Sequence, residues 1–286
     1  MFHYFKNPIK KYLATWRNRH RYSPAVQISQ RQLLLDYQNS LKNGTRIALH
    51  DTGFKVFSQH EEDGLIFFLI AATGNIPRVF VDIGASDGIN SNCANLAVNL
   101  GWHGLFIDAD AKAIERGKYF YRKIPDPWSY KPVFACRKVT AENINEIIGT
   151  SGISGSIGLL SIDIDGNDYW IWKAIHSIEP IIVIVEANVE MGLQHLVVPY
   201  EANFNHMERD PLYHGASVNA FITLGREKGY RLVGANQYGH NLLFVRDGYA
   251  NDHLPEVDAE SVLQHPSAQQ SFALFERIRN RPYVQG

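Results

Sequence analysis

The chain has 286 residues, 45% of them hydrophobic and 20% charged, with two cysteines and a formal net charge of −1. This length and apolar content allow one large or two small globular domains with a sizeable core, so disorder, collagen and coiled coil are excluded as the main class. Cys93 and Cys136 are too few for a disulfide scaffold, and the longest apolar runs, Leu65–Ala72 and Ile181–Val185, fall far short of the roughly 20 residues a bilayer span needs.

The near-zero charge is a cancellation. Residues 1–46 carry nine Lys/Arg against one acid, Asp36, for a net +8, which leaves the remaining 240 residues at −9. No apolar h-region follows the first basic residues, so a secretory signal is not expected. A cytoplasmic location is, with the inner membrane surface open to the basic arm.

Within that arm a helix is predicted just after Lys6. Asn7 can cap it, Pro8 suits its first position, and Ile9, Tyr12, Leu13 and Trp16 recur at helical spacing. Lys10, Lys11 and Arg17 lie on its other faces. Such a helix either rests on an anionic membrane or packs its apolar stripe on the domain. A second helix is predicted over about Ser29–Leu41, stopped by Asn43-Gly44. No recognised nucleic-acid-binding motif accompanies the charge, so nucleic acid is not an expected partner.

From about Phe57 the pattern becomes α/β. Helices are predicted over about 61–73, 91–100 and 111–123, and strands over 79–83, 104–108 and 133–139. Thr140 is predicted to cap a short helix over 142–148. A strand over 158–164, a helix over Asn167–His176 and a strand over 181–186 follow. Ala187–Gly215 lacks periodicity and is long for a compact connection, which suggests an active-site lid. Ala216–Lys228 reads as a helix. Tyr230–Gly234 and Asn241–Val245 read as an antiparallel pair, and the tail beyond 250 reads as helical. Short apolar strands alternating with helices indicate a mostly parallel sheet covered on both faces.

The most informative stretch is Val81-Asp82-Ile83-Gly84-Ala85-Ser86-Asp87-Gly88-Ile89-Asn90-Ser91-Asn92. In an open α/β sheet the ligand sits beyond the carboxyl ends of the strands, where glycines let the backbone approach it. A dinucleotide turn would carry Gly-x-Gly-x-x-Gly. Here Ala85 and Ser86 separate the two glycines, and Asp87 would repel a pyrophosphate while attracting an ammonium or sulfonium. NAD is disfavoured on this argument. Asp108 ends the next strand, placed to accept hydrogen bonds from both hydroxyls of a ribose.

The turn Asp82-x-Gly84-x-x-Asp87-Gly88 and the strand end Phe106-Ile-Asp108 resemble S-adenosylmethionine-dependent class I methyltransferases. Ser58-Gln59-x-x-x-Asp63, Ser161-Ile-Asp-Ile-Asp-Gly-Asn-Asp168 and Val183-Ile-Val-Glu186 are similar to the FkbM-like family among them. So are Tyr213-His-Gly-Ala-Ser217 and Gly229-Tyr-Arg-Leu-Val-Gly234, and the likeness covers roughly residues 55–247. It implies a Rossmann-like sheet of seven mostly parallel strands with an antiparallel last strand, helices on both faces and added N-terminal helices. The domain would span 51–250, with a lid at 187–215, a basic helical arm at 1–50 and a helical tail at 251–286. The implied activity is O-methylation of a natural product, sugar or glycan chain.

The resemblance further implies that Gly84, Ser86 and Gly88 flank the methionine part of S-adenosylmethionine. Asp87 or Asp82 would reach its ammonium and Asp108 its ribose. Asn92 and Asp163 would border the same cofactor, and the segment from Lys138 through Thr140 to Glu142 would hold adenine. Gln59 and Asp63 would come from the helix covering the cleft.

At the end of the fourth predicted strand, alternation puts Asp163 and Asp165 on one face. Three roles are open to them: orienting a substrate hydroxyl, acting as general base, or binding a divalent cation such as Mg2+ with Glu186. Alternatively Asp165 caps the following helix. An EF-hand is excluded because Gly166 stands fourth in the segment where the loop needs glycine sixth. His214 and His240 are further candidates to take a proton near neutral pH, ahead of His195 and His206 in the lid. A sugar hydroxyl is a weak acid, so a carboxylate alone suits it poorly, and help from histidine or a metal is expected.

Overall fold

Alternate residues of the central strands enter two different apolar layers, and this sorting explains why the chain builds a covered sheet. Val81, Ile83, Leu105, Ile107, Leu160, Ile162, Val183 and Val185 face one layer, while Phe80, Phe106, Leu159, Ile182 and Ile184 face the other. Strands buried on both faces must be apolar at nearly every position, as these are. The structure is a computed structural model and describes residues 16–124, 131–204 and 210–286. The predicted helix after Lys6 lies outside the described residues except at its end.

The strands are β1 (Val79–Ile83), β2 (His103–Asp108), β3 (Val133–Cys136), β4 (Gly155–Ile162), β5 (Ile178–Glu186), β6 (Tyr230–Ala235) and β7 (Asn241–Arg246). Their order is β3-β2-β1-β4-β5-β7-β6, with β1 to β5 parallel and β7 antiparallel to both its neighbours. This is the Rossmann-like sheet expected from the sequence. The chain leaves β1 first toward one edge and later returns to β4 on the other side. The gap where the order reverses lies between β1 and β4.

Helix α1 (Pro24–Lys42) begins five residues before its predicted start. Ser23 accepts the Val26 N–H at 3.4 Å and Pro24 occupies the first turn, a start signal stronger than the hydrophobic period alone. It packs on α2 (Glu62–Thr73), with Tyr37 edge-on to Phe68 at 5.2 Å. Helices α3 (Ala94–Asn99) and α4 (Ala111–Lys123) complete this face. On the opposite face lie α5 (Ile144–Thr150), α6 (Asp168–Ala174) and α7 (Val218–Glu227). Thr140 does not cap α5 with its side chain. Its N–H instead donates to Asn143 Oδ1 at 2.8 Å.

The described part of 187–215 is bound to its surroundings. Val197 forms β-bridges to Ala216 and Val284, Trp170 Nε1 donates to Val198 O at 2.9 Å, and Asn167 Nδ2 donates to Glu201 O at 2.9 Å. The tail folds as α8 (Ala259–Val262), α9 (Pro266–Ser271) and a 3-10 turn over Phe272–Arg277, and Ile278 packs with Met191, Val198 and Tyr213. No helix among the described residues is long and apolar enough to cross a membrane.

Phe106 is the hub of one layer, with ring centroids 5.0 Å from Phe80, 5.2 Å from Phe134 and 5.5 Å from Tyr121. Phe106→Ala is expected to lower stability by about 3–5 kcal/mol. Denaturant unfolding followed by circular dichroism would measure the loss.

Candidate active site

The loop after β1 is held against β2 and β4 at a separation that excludes a side chain. Gly84 and Ala85 donate their N–H groups to Ile107 O at 2.9 and 3.1 Å, and Asp163 N–H donates to Ile83 O at 3.0 Å. A Cβ on Gly84, whose φ is +84°, would lie 1.6 Å from the carbonyl oxygen of Asp163. Ser86 also takes a left-handed conformation, φ +51°. That turn aims its N–H at Asp108 Oδ2, 2.8 Å away, while Asp110 N–H meets Oδ1 at 2.7 Å. Asp108 is therefore fixed at the end of β2, beside the glycine turn.

A cavity of about 470 Å³ opens where these segments meet. Gly84, Ser86, Asp108, Asp163 and Asp165 form its polar wall, Ile107, Val139, Ile164 and Phe204 its apolar one, and Arg137 and Lys138 stand at the end of β3. Phe204 sits over Gly166, where an added Cβ would come within 2.3 Å of its ring. The cavity thus occupies the carboxyl ends of β1 to β4, at the reversal of strand order.

The acidic cluster beyond β4 is assembled differently from its predicted form. Regular pairing stops at Ile162, so Asp163 and Asp165 lie past the strand and alternation does not place them. Instead Asp168, fully buried, accepts the N–H groups of Ile164 and Gly166 at 2.9 Å each and draws the chain into a tight turn. Asp165 stands in that turn at φ +54° and does not cap α6, whose first residue is Asp168. The turn brings carboxylate oxygens of Asp163, Asp165 and Glu186, the last residue of β5, within 4.8 Å of one another.

Burial raises the carboxyls of Asp163, Glu186 and Asp168. Asp163 is pushed up to about 7 by desolvation, then by the charges of Asp168, Asp165 and Asp82. Glu186 is raised well above the carboxylate range by desolvation and then by Asp163. Asp168 rises to about 6 through desolvation, opposed by its backbone hydrogen bonds. Neighbouring carboxyls withdrawn from water hold a proton between them into the neutral range. Glu186 Oε2 is buried and, among the described residues, has no hydrogen-bond partner.

Other predicted residues are elsewhere or otherwise engaged. Asp82 lies within β1, between β2 and β4, near Ser91, Ser161 and Cys93, where desolvation raises it to about 6, and it does not line the cavity. Asn92 Nδ2 donates to Ser161 Oγ at 3.2 Å, tying the loop to β4. Asp87 pairs with Arg116 Nε at 3.3 Å and accepts the Ile89 N–H, so it braces the turn to α4 rather than facing the cavity. Gly88 is closed against the Phe106 ring. Gln59 is exposed, and its carbonyl receives Lys55 Nζ. Asp63 accepts the N–H groups of Val56, Phe57 and Ser58 and the Ser58 hydroxyl, a scaffold for the segment before α2. Thr140 also lies outside the cavity lining, though its neighbour Val139 is in it.

Among the histidines, His240 borders Glu186. Its carbonyl accepts the Ala187 N–H at 2.7 Å, and β5–β7 pairing sets Glu186 opposite Asn241. Its Nε2 lies 3.0 Å from Asn236 Nδ2, and desolvation lowers its pKa, as does His60. With Nε2 engaged by Asn236 and its basicity lowered by burial, the ring is a weaker proton acceptor than a free imidazole. His214 presents its carbonyl to Asn188 Nδ2 at 3.0 Å, beside Gly215, whose N–H reaches Gly166 O. His195 Nε2 meets Thr223 Oγ1 at 3.1 Å, away from the cluster, and His206 lies outside the described residues.

Sequence reasoning missed Arg137 and Phe204 as cavity residues and Asp168 as the organiser of the acidic turn. Asp168 had a local signal, since an aspartate just after a glycine turn can collect the N–H groups behind it. Phe204 had none, because its partner Gly166 is remote in sequence.

No protein-family model matches the chain, and no curated protein does either. Solved structures similar to it include an S-adenosylmethionine-dependent methyltransferase from Clostridium acetobutylicum, 13% identical over 65% of this chain and 91% of that one, TM-score 0.40. An O-methyltransferase from Bacillus cereus in complex with SAH is 15% identical over 76% of this chain and 89% of that one, TM-score 0.42. An O-methyltransferase family protein from Burkholderia thailandensis is 10% identical over 77% and 71% respectively, TM-score 0.39.

The raised carboxyls carry a pH signature. Asp163 holds its proton to about pH 7 when folded, but releases it near 4 when unfolded. The folded state therefore binds more protons between those values, and stability falls as pH rises through that window. Asp163→Asn removes this contribution. Calorimetric melting should show the variant more stable than the parent at pH 8 by at least about 1 kcal/mol, or roughly 2–4 °C, with the difference closing toward pH 4.

Proposed function

We propose that the chain is an S-adenosylmethionine-dependent O-methyltransferase whose acceptor is a hydroxyl of a sugar or glycoconjugate. The observation that carries this reading is Asp108, fixed by two backbone N–H groups at the mouth of a cavity that joins a glycine turn, an apolar wall and an acidic cluster. A carboxylate so held keeps lone pairs free for the two hydroxyls of a ribose. Ile107, Val139, Ile164 and Phe204 offer the flat apolar slot an adenine ring requires. The Gly84–Asp163 contact leaves a bare backbone beside which a methionine chain can lie. Asp163 and Asp165 supply the negative field that favours a sulfonium and disfavours a pyrophosphate.

S-adenosylmethionine supplies an electrophilic methyl group, so the residues have two remaining tasks: alignment of the acceptor oxygen and removal of its proton. Asp163 suits the second. An ordinary carboxylate is a poor base for an alcohol, whereas a carboxyl raised to about 7 stands closer to the pKa at which general-base catalysis works at neutral pH. Glu186, whose carboxyl lies within 4.8 Å of those of Asp163 and Asp165, would hydrogen-bond the acceptor oxygen or share a proton with Asp163. The same three acids also fit a divalent cation such as Mg2+, since all are hard oxygen donors and Glu186 Oε2 is buried without a partner among the described residues. Such an ion would acidify the acceptor hydroxyl and lower these carboxyls together.

The sugar assignment is supported by the family resemblance and by a group of rings around the β6–β7 turn, whose His240 carbonyl accepts the Ala187 N–H. Tyr238 lies parallel to His240 at 5.9 Å, with His60 and His265 edge-on at 4.7 and 5.0 Å from Tyr238. Rings and carboxylates together fit an acceptor with one apolar face and several hydroxyls.

Titration calorimetry with S-adenosylhomocysteine should detect binding, and Asp108→Ala should weaken it about 10–100-fold through loss of charged hydrogen bonds. No binding by the parent chain would overturn the cofactor assignment. With radiolabelled S-adenosylmethionine and a panel of glycosides and amines, label is expected in an ether. Label in a methylamine would shift the reading to N-methylation. If a cation takes part, EDTA abolishes turnover and Mg2+ restores it in the parent chain but not in Glu186→Gln.

A further inference from the structure

The opposite edge of the sheet carries two adjoining apolar grooves of about 790 and 840 Å³ that the proposed reaction does not use. They run along α1 past Arg78, just before β1, and past Leu100 at the end of α3, and they share Arg31, Arg78, Asn99 and Leu100. Leu34, Ile70 and Trp102 floor one of them; Tyr22, Val98 and Ile124 floor the other. The rims are basic, with Lys42 and Arg31 on α1, Arg78 between the grooves, and Arg19 and Lys131 at the far end. Among the described residues no carboxylate lines either groove, and Arg31, Lys42 and Arg78 pair with none.

Beside the grooves, α1 turns apolar side chains to solvent. Its inward residues Gln30, Leu34, Tyr37 and Leu41 meet the domain, yet Ile28 and Leu35, seven residues apart on another stripe, are 68% and 55% exposed, and Trp16 is 57% exposed. Exposed aliphatic and indole side chains among Lys and Arg are the pattern of a helix resting in a lipid interface.

We propose that this edge docks on an anionic phospholipid bilayer, with lipid phosphates on Arg31, Lys42 and Arg78 and acyl chains against the groove floors. Charge complementarity decides the occupant. Residues 1–15 are apolar enough to be considered, but they carry Lys6, Lys10 and Lys11 and no acid, so a basic rim repels them. A second copy meeting the first through this same edge would oppose two basic rims. An anionic lipid surface neutralises the rim and covers the exposed residues together. The cavity at the carboxyl ends of β1 to β4 would then face away from the membrane, open to the aqueous side.

The full chain should co-sediment with phosphatidylcholine vesicles containing about 30% phosphatidylglycerol, and should leave them in 0.5 M NaCl. Each exposed cation near an anionic surface contributes about 1 kcal/mol, so Arg31→Glu with Arg78→Glu should lower the partition coefficient at least about tenfold. Ile28→Ser with Leu35→Ser should lower it as well, by loss of apolar insertion. All four positions are exposed and the variants should keep the parent's circular dichroism and S-adenosylhomocysteine titration, so this test is independent of the methyl-transfer reading. Equal binding to pure phosphatidylcholine, absence of binding to the anionic vesicles, or unchanged binding by both double variants would overturn the proposal. So would a dimer in sedimentation velocity that the same variants dissociate, which would assign the edge to a second copy.

Discussion

The approach of the Gly84 backbone to the Asp163 carbonyl is the constraint on which the rest of the site depends. Three segments meet there: the exit of β1, the end of β2 through Ile107 O, and the exit of β4 through the Asp163 N–H. Because no side chain fits between Gly84 and Asp163, the two exits stay joined where the strand order would otherwise let them spread. The left-handed turn at Ser86 follows directly, and with it the N–H that fixes Asp108. On the other side the chain must turn sharply away from Asp163, and Asp168 holds that turn through two backbone N–H groups. The cavity is therefore a consequence of how tightly neighbouring strand exits are joined.

Burying acids at that junction is unfavourable to folding. Asp82, Asp163, Asp168 and Glu186 are all largely withdrawn from water, and among the described residues none has a cation near enough to compensate. The remaining fold has to supply what they remove, and the apolar layers on both faces of the sheet are the source. Asp168 is the least costly of the four because its two oxygens are satisfied by backbone donors. Glu186 and Asp82 bear more of the penalty, each with one oxygen that is buried and unpartnered among the described residues. A group kept in that condition gains stabilisation from anything that brings it a proton, a donor or a positive charge. Binding energy at this site can thus come from relieving a cost that folding itself imposes.

Much of the fold was legible because the strands are short apolar runs at regular intervals, and burial on both faces leaves little ambiguity about them. The glycine turn after β1 was legible because glycine is demanded where backbone meets backbone, and Gly84 meets that demand. What failed were inferences that extended local periodicity past its physical limit. Alternation cannot place Asp163 and Asp165 once pairing ends at Ile162, although the acids do gather for a different reason, the turn organised by Asp168. Asp87 reads as a ligand group from its place in the loop. Its partner Arg116 lies 29 residues on, and no local pattern announces that pair. Tyr200 reaching Glu142 at 2.6 Å, and Phe204 reaching Gly166, belong to the same class of contact. They close the segment over the cavity and exist only after the sheet has formed.

The split between a +8 arm and a −9 remainder acquires a spatial meaning in this arrangement. Acids collect at the carboxyl ends of the strands, where Asp108, Asp163, Asp165 and Glu186 line or border the cavity. Arg19, Arg31 and Lys42 from the arm join Arg78 and Lys131 at the amino ends. These groups are therefore separated along the strand direction, with Arg137 and Lys138 the basic residues on the cavity side. A field of this kind orients the whole chain at any charged boundary, independently of specific contacts. Under the docking proposed above, an anionic surface would attract the amino-end edge and repel the acidic one, and the cavity would be presented to the aqueous side. A cationic ligand approaching from solvent meets the acidic edge first. The same charge separation would thus serve both surface orientation and ligand capture, and a net charge near zero conceals each of them.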